Sequence, residues 1–474
     1  MPNNVAYLAL LMWPLVAIWL YKKKEVIPAT FWTIVGGYLL LPVGVQFDFP
    51  LIPALNKETI PAVMVLLCCR YSTGLKIKLL PPKGIERNLI LLFFAGSVGM
   101  VLTNGDVVDE PTRFIQALSY RDTVSVILSQ GLLLLPFTIA IQLIRSYDDQ
   151  VELFKLIVLA GLLYSILIVF EIRMSPQLHK WIYGFFPHTW AQQLRYGGFR
   201  PVVFLGHGLW VSIFLVAVLG ASLILSNLKV SVTKRFNSLI VTYLVLLLYF
   251  SKGFGAMILG SIFLIVTKVI GRMSQRIAIS IATLAILYPL LCIVDIFPHQ
   301  YLIDLVEPVN MRQAGSLQYR FNQEALLLER ATEKYIFGWG GWDRYKLPNS
   351  VTDGYWIIVF GKYGLIGFIS IFGLMFTSIW KVAIIRIGLV NKIEYKLLGT
   401  HSLLLSLLML DQLPNASINP LFWFMFGALV GRTREINFKG MSTNLEEKNS
   451  VSPNILKEIK MLPKQPGKKK VVGG

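Results

Sequence analysis

Residues 202–225 read VVFLGHGLWVSIFLVAVLGASLIL, an apolar stretch without a single charged side chain. A helix rises about 1.5 Å per residue, and about 20 apolar residues cross the hydrocarbon core of a bilayer. Apolar side chains occupy every face of the stretch, and lipid offers the backbone no hydrogen-bond partner, so a strand is excluded. The stretch therefore predicts a transmembrane α-helix.

Similar apolar runs recur along the whole chain of 474 residues. Hydrophobic residues make up 55% of the sequence, charged residues only 15%, and the mean hydropathy is +0.62. These values exclude an ordinary water-soluble enzyme, which needs a more polar surface. About 12–13 runs are long enough to be membrane spans. The sequence therefore predicts an all-α, polytopic transmembrane helix bundle.

Positive charge is distributed unevenly between the two sides of this predicted bundle. Most of the 45 lysines and arginines fall on one side, whereas the other side is nearly neutral. Basic loops stay in the cytoplasm during insertion, so the net charge of +19 reports topology, and nucleic acid is not an expected partner. The first run, about residues 5–21, is followed rather than preceded by basic residues, the reverse of a cleavable signal peptide. We expect a retained first span, an external N-terminus and a cytoplasmic C-terminus.

The chain divides into two parts by composition. Residues 1–431 are predicted to form the membrane domain, with one large external loop at about residues 298–354. Residues 432–474 are polar and rich in lysine, which predicts a disordered cytoplasmic tail. Cys68, Cys69 and Cys292 lie in or at the ends of apolar runs without metal or redox spacing, so we interpret them as packing residues.

Two arginines precede the opening stretch on its external side, in LRYGGFRPVVFLGHGLW. Pro201 suits the first turn of a helix, and a helix that starts there would align Arg200 with His207. Gly197 and Gly198 allow a tight turn that brings Arg195 to the same place. Two guanidinium groups can bind a diphosphate by bidentate hydrogen bonds. The alternative is that the arginines reach lipid phosphates and His207 packs in the core.

Three further candidates lie on the same predicted side. Arg320 is expected to open a helix within residues 319–335, where its charge opposes the helix dipole and favours an external anion; an ordinary pair with Glu324 is the alternative. Asp353 precedes a span. It could serve there as a general base, or it could be an ordinary N-cap of the helix. Lys252 is either a further anion ligand or a lysine that reaches the interface.

A metal site is not predicted. The chain has no Asp-x-Asp motif, and His179, His188 and His207 lack the close spacing of metal ligands. No Gly-rich phosphate loop appears either, so a soluble sugar nucleotide is not the expected substrate.

Four segments resemble motifs of the bacterial O-antigen ligase and polymerase superfamily, membrane glycosyltransferases of the GT-C type. The segment SKGFGA is similar to the Ser-Arg-Gly-Ala pattern of that family, and DGYWIIVFGKYGLIG to its His-x-x-Tyr ending followed by Gly-x-x-Gly. The resemblance covers about residues 194–367, in RYGGFRP (195–201), SKGFGA (251–256), Arg320 followed by FGWGGW (337–342), and DGYWIIVFGKYGLIG (353–367).

The resemblance implies a periplasmic-side reaction in the bacterial inner membrane, without cofactor, metal or nucleotide. Members of the family transfer glycans from an undecaprenyl diphosphate carrier to an acceptor. By resemblance, Arg195 or Arg200 binds the diphosphate together with Arg320. Lys252 is a candidate further ligand from its position alone. Arg200, Arg320, Asp353 and His207 are then the catalytic candidates.

One departure favours the exopolysaccharide or O-antigen polymerase branch over a ligase. Ligases usually have histidine where this chain has Asp353, and His207 is the candidate for the missing role. The expected partners are the lipid-linked oligosaccharide, a glycan acceptor, membrane lipid, and other polysaccharide export or assembly proteins. The alternatives are an O-antigen ligase, a transporter of polysaccharide or lipid-linked glycan, and an assembly subunit without turnover.

Overall fold

The computed structural model describes residues 1–49, 52–195, 197–230, 237–270, 273–308, 311–348, 350–386, 389 and 391–447. Apart from three short antiparallel pairs of strands, the regular structure in these ranges is helical, as predicted. In chain order the helices are α1 (Asn4–Lys23), α2 (Val26–Phe31), α3 (Gly37–Leu40), α4 (Thr59–Ser72), α5 (Ile85–Leu102), α6 (Tyr120–Leu143), α7 (Tyr147–Met174), α8 (Leu178–Tyr183), α9 (Gly208–Asn227), α10 (Asn237–Phe250), α11 (Phe254–Ile265), α12 (Ser274–Ile293), α13 (His299–Val306), α14 (Met311–Thr332), α15 (Tyr355–Arg386), α16 (Lys392–Asp411) and α17 (Pro420–Glu447).

The strands and the irregular helical turns are short connections. A π-helical turn, Trp32–Gly36, joins α2 to α3, and a second, Val266–Ile270, extends α11; a 3₁₀ turn, Trp190–Gln193, precedes β5. The strand pairs are β1 (Phe47–Phe49) with β2 (Ile52–Leu55), β3 (Val108–Glu110) with β4 (Arg113–Ile115), and β5 (Leu194–Arg195) with β6 (Gly198–Phe199).

Eight of the described helices are long and apolar enough to cross a membrane, by length and composition. The chain is therefore a multi-pass membrane protein. The eight are Asn4–Lys23, Ile85–Leu102, Tyr120–Leu143, Tyr147–Met174, Gly208–Asn227, Ser274–Ile293, Tyr355–Ile385 and Lys392–Asp411. Shorter apolar helical segments are Val26–Leu40, Thr59–Ser72, Ser238–Phe250 and Phe254–Val269.

Helix α9, which contains most of the opening stretch, lies at the centre of the bundle. Its apolar window is 89% buried, more than that of any other candidate span. Small residues on its neighbours allow close packing: a Cβ at Gly161 of α7 would lie 2.2 Å from Val218 of α9. A Cβ at Gly220 of α9 would lie 2.6 Å from Leu404 of α16. Van der Waals packing at small residues is the usual basis of helix association in lipid.

The loop after α14 is anchored to a kink in α15. Gly364 has φ 63° and ψ −162°, which breaks the helix. Backbone groups on either side of the break bond to the loop: Leu365 N donates to Tyr335 O at 2.9 Å, and Gly361 O accepts from Trp339 N at 2.8 Å. Glycine is needed, since a Cβ at Gly364 would lie 2.3 Å from Ile336 O. Gly338 and Gly364 thus fix the loop to a span.

The opposite end of the bundle is closed by ion pairs, and we call it the basic end. Glu86 at the start of α5 is fully buried and binds both Lys381 near the end of α15 and Arg434 of α17. Arg432 pairs with Glu394 at 3.0 Å. Helix α17 continues to Glu447, past the boundary predicted at residue 431, and the charges just after that boundary, Arg432 and Arg434, have partners. Residues 448–474 of the predicted tail lie outside the described residues.

Candidate functional site

Three of the predicted residues meet at the other end of the bundle, which carries the long connections and which we call the loop end. The Arg200 side chain is buried and its Nη2 donates to Lys252 O at 3.0 Å. Lys252 Nζ in turn donates to Arg195 O at 3.0 Å. We call Arg195, Arg200 and Lys252 the Arg200 cluster. The structure brings together three cations from two sequence segments that were selected separately.

Local backbone geometry explains the cluster. The β5–β6 hairpin turns at Gly197, where φ is +69°, and it pairs Arg195 with Gly198. A Cβ at Gly198 would lie 2.2 Å from Lys252 Nζ, and one at Gly208 would lie 2.0 Å from Arg200 Cδ. The absence of side chains at these two glycines therefore makes room for the cations.

His207 lies beside the cluster, but the predicted helix from Pro201 is wrong. Helix α9 begins at Gly208, and His207 is its N-cap, with Nδ1 accepting from Leu209 N at 3.1 Å. The reason is a distant carboxylate, since Glu171 of α7 accepts from Val202 N at 2.8 Å and from Val203 N at 2.7 Å. The segment before α9 is thus held as a turn.

The environment of His207 keeps its ring neutral. Burial, followed by the nearby charges of His188, Arg200 and Arg195, lowers the pKa of His207 to about 3. Its ring packs edge-on against His188, with centroids 4.6 Å apart. A ring with so low a pKa is a weak base, and its Nδ1 already accepts from Leu209 N.

Arg320 lies in the middle of α14 rather than at its start, because the helix begins at Met311, upstream of the predicted segment. Its Nε lies 3.8 Å from Asp353 Oδ2, and its Nη1 donates to Pro414 O at 3.4 Å. The two side chains of the ion pair are 36% and 44% exposed, so water screens the pair and an incoming anion can replace Asp353.

The structure has neither the Arg320–Glu324 pair nor the N-cap role that were the alternatives for Arg320 and Asp353. Glu324 does not pair with Arg320; its carboxylate accepts from Tyr288 and Trp356 instead. At the start of α15, Tyr355 N donates to Gln412 O at 2.9 Å, so a neighbouring loop rather than Asp353 caps the helix.

That loop, residues 412–419 between α16 and α17, was missed by the sequence reasoning. Trp210 Nε1, in the first turn of α9, donates to Ala416 O at 3.1 Å, and Arg320 contacts Pro414 of the same loop. Asp411 fixes the loop by accepting from Ser417 and from Asn415. The loop thus contacts both Trp210 of α9 and Arg320 of α14. The polar sequence DQLPNASINP, which lies between two apolar runs, could have indicated this loop.

Two small cavities open at this end. One of about 170 Å³ is lined by Arg320, Asp353, Glu324 and Tyr288, together with the loop. The other, of about 180 Å³, is lined by Lys57, Tyr38 and Trp210, among others. Each is large enough for a single charged headgroup but not for a whole glycan.

Two other arginines of the large loop, Arg344 and Arg330, serve the fold. Arg344 is buried and donates to three backbone oxygens, those of Trp339, Gln116 and Asp106. The Arg330 guanidinium lies 3.5 Å from the centre of the Trp339 ring. Such contacts stabilise the loop against the β3–β4 hairpin.

One group of side chains in the described residues could hold a metal ion. Cys292, His299 and Glu324 each offer one ligand atom, and these atoms all lie within 4.8 Å of one another. His299 was not weighed in the sequence, and the group joins α12, α13 and α14.

No protein-family model and no curated protein matches this chain. The fold and the site together define a multi-pass α-helical membrane protein with clustered cations at one end of its bundle.

Proposed function

We propose that this protein is a membrane glycosyltransferase of the bacterial inner membrane that polymerises lipid-linked oligosaccharide repeat units on the periplasmic side. The observation that carries the proposal is the Arg200 cluster, where Arg195, Arg200 and Lys252 are held at one end of the bundle by backbone contacts. Arginine near lipid is expensive unless it binds an anion. The diphosphate of a lipid carrier is such an anion.

The proposed topology has 12–13 spans. The eight long helices and four shorter apolar segments give twelve, and the apolar first half of α17 gives one more. With all thirteen, successive spans alternate in direction, and the contacts of the two ends support this. Arg200 meets Lys252 at the loop end, whereas Glu86 meets Arg434 at the basic end. The basic side is cytoplasmic by the positive-inside rule, so the loop end faces the periplasm.

The proposed reaction is the displacement of a diphosphate by a hydroxyl group. The acceptor hydroxyl oxygen attacks the anomeric carbon of the lipid-linked glycan, and the bond from that carbon to the phosphate oxygen breaks. The electron pair of that bond leaves with the lipid diphosphate, and the hydroxyl proton passes to water or to a neighbouring base. Fixed cations stabilise the charge that develops on the leaving group.

The residues divide between these steps. Arg200 and Arg320, with Arg195 and Lys252, bind the diphosphate. Because a lipid diphosphate is a good leaving group, base catalysis contributes little, and Asp353 mainly orients Arg320. His207, neutral and with its Nδ1 accepting from Leu209 N, caps α9, so the hydroxyl proton passes to water.

The test is a reconstituted reaction. The purified protein in lipid vesicles is incubated with undecaprenyl-diphosphate-linked repeat units, without added nucleotide or metal, and the products are resolved by length. A ladder with release of lipid diphosphate is the expected result. Transfer only to a separately supplied acceptor would favour the ligase, and glycan crossing sealed vesicles unchanged would favour the transporter; either result would overturn the polymerase.

A further inference from the structure

Cys292, His299 and Glu324 converge where three helices meet at the loop end. Cys292 is at the end of α12, His299 is the first residue of α13, and Glu324 lies in the middle of α14. Cys292 Sγ lies 3.6 Å from His299 Nε2, and His299 Nε2 lies 4.0 Å from Glu324 Oε1. We propose that these three side chains bind one zinc ion that fastens α14 to α12.

The distances suit tetrahedral zinc. Bonds of about 2.3 Å to sulfur and about 2.0 Å to nitrogen put the two ligand atoms about 3.5 Å apart in a tetrahedral site. The observed Cys292–His299 separation of 3.6 Å matches this value. The separation of 4.0 Å between His299 Nε2 and Glu324 Oε1 is longer than a tetrahedral site needs, so these two groups would draw together on binding the ion.

The charges suit a divalent ion. A thiolate and a carboxylate together carry two negative charges, which zinc neutralises, and the thiol proton is released to solvent on binding. Among the described residues, Glu324 forms no ion pair with a lysine or arginine, although its side chain is only 14% exposed.

The surroundings of the ligands are those of a metal site. Tyr288 OH donates to Glu324 Oε1 at 2.5 Å, and Trp356 Nε1 donates to Glu324 Oε2 at 3.0 Å, so the carboxylate is oriented. The ring of Phe321 packs edge-on against His299, with centroids 4.6 Å apart. Sulfur and imidazole ligands select zinc over magnesium or calcium, which prefer oxygen.

The ion would act on the position of Arg320 rather than on the reaction itself. Glu324 is four residues after Arg320, so both side chains project from the same face of α14. Both also line the cavity of about 170 Å³. Fixing Glu324 to α12 therefore fixes Arg320 over that cavity. Metal binding is measured without any glycan substrate, so this inference stands or falls separately from the proposed function.

The experiment uses Co²⁺ as a spectroscopic probe of the zinc site. The full-length protein, purified without a polyhistidine tag and stripped with a chelator, is titrated with Co²⁺ alone. We expect about one equivalent to bind with a sulfur-to-cobalt absorption band in the near ultraviolet, and Zn²⁺ to remove the band. Cys292→Ser should abolish the band, whereas the control Cys68→Ser, a buried cysteine of α4, should leave it unchanged.

A second measurement avoids dependence on the folding of the Cys292→Ser variant. In a Cys68→Ser/Cys69→Ser background, Cys292 is the only thiol left, and alkylation reports its access and ionisation. Zn²⁺ should slow alkylation by about tenfold or more, and His299→Gln should weaken this protection by about tenfold. Absence of a cobalt band in the unmutated protein, or alkylation that Zn²⁺ leaves unchanged, would overturn the proposal.

Discussion

At the scale of single residues, Arg320 and Asp353 form an ion pair that an anion can open. The side chains are more than one-third exposed and 3.8 Å apart, so the pair itself contributes little to stability. We assign the diphosphate to the arginine and an orienting contact to the carboxylate. The two side chains should therefore differ in their importance for turnover.

Asp353→Asn should lower turnover by less than about tenfold, because the amide keeps a hydrogen-bond acceptor towards Arg320 and the leaving group needs little base catalysis. The measurement is the initial rate of diphosphate release in reconstituted vesicles. Arg121→Ala, at an exposed arginine at the loop end of α6, is the control for a surface change. A loss of a thousandfold in Asp353→Asn would make Asp353 the general base and contradict this division.

The lowered pKa of His207 predicts how the stability of the fold depends on pH. Its pKa is about 3 in the folded protein against about 6.5 when unfolded, so the unfolded chain binds the extra proton as the pH falls below about 6.5. The stability that the neutral ring contributes is thus complete above that pH and is lost towards pH 3, by up to about 1.4 kcal/mol per pH unit.

His207→Gln should therefore flatten the decline of the unfolding temperature between pH 6.5 and pH 4.5, measured in detergent. His179, whose pKa burial lowers to about 4, contributes a similar decline that remains in the variant. An equally steep decline in His207→Gln and in the unmutated protein would show that His207 is already charged in the fold.

At the scale of elements, the anchoring of the large loop to α15 determines where α14 lies. Gly364 and Gly338 approach so closely that a Cβ at Gly338 would lie 2.5 Å from the backbone of residues 362–364. Arg320 and Glu324 sit on the helix that leads into this contact. Glycine is therefore needed at residues 338 and 364, because the backbone of the loop packs directly against the kink of α15.

Gly364→Ala should destabilise the protein by about 1–3 kcal/mol, because an L side chain is strained at φ 63°. It should also lower turnover, since the displaced loop carries α14 with it. The matched control is Gly341→Ala in the same loop, where a Cβ meets nothing within 4 Å. Equal unfolding temperatures for the two variants would contradict the anchoring.

The sequence predicted the helices better than the connections between them, and the reason is physical. Apolar length alone defines a span, so α9 and the helical middle of α14 were confirmed from local pattern. The prediction that a helix begins just after Arg200 was wrong because Glu171, far upstream in the sequence, accepts hydrogen bonds from the amides of that segment. The cluster of Cys292, His299 and Glu324 was missed because a fold, rather than a spacing, brings its members together.

At the scale of the whole molecule, the two ends of the bundle differ in chemistry. The basic end is closed by paired charges around the buried Glu86, whereas the loop end presents the Arg200 cluster and Arg320. The orientation of the protein in the membrane therefore decides which compartment supplies the substrate.

Single-cysteine labelling tests that orientation, after the native cysteines Cys68, Cys69 and Cys292 are changed to serine. A membrane-impermeant maleimide should label Glu329→Cys, on the exposed face of α14, in intact cells. Lys24→Cys, at the end of α1, should be labelled only after permeabilisation. Labelling of Lys24→Cys in intact cells would invert the topology and contradict a periplasmic reaction.

The most direct test of the central claim is the rate of the reconstituted polymerisation in Arg200→Ala and Arg320→Ala. If these arginines hold the departing diphosphate, each variant should lose about a hundredfold to a thousandfold in rate. The unfolding temperature of Arg320→Ala should stay near that of Arg121→Ala, which keeps full activity. That of Arg200→Ala should fall, because the buried guanidinium donates to Lys252 O, so its rate is measured at a temperature where the variant is folded. Near-normal rates in both Arg200→Ala and Arg320→Ala would contradict the assignment of this end of the bundle as the diphosphate site.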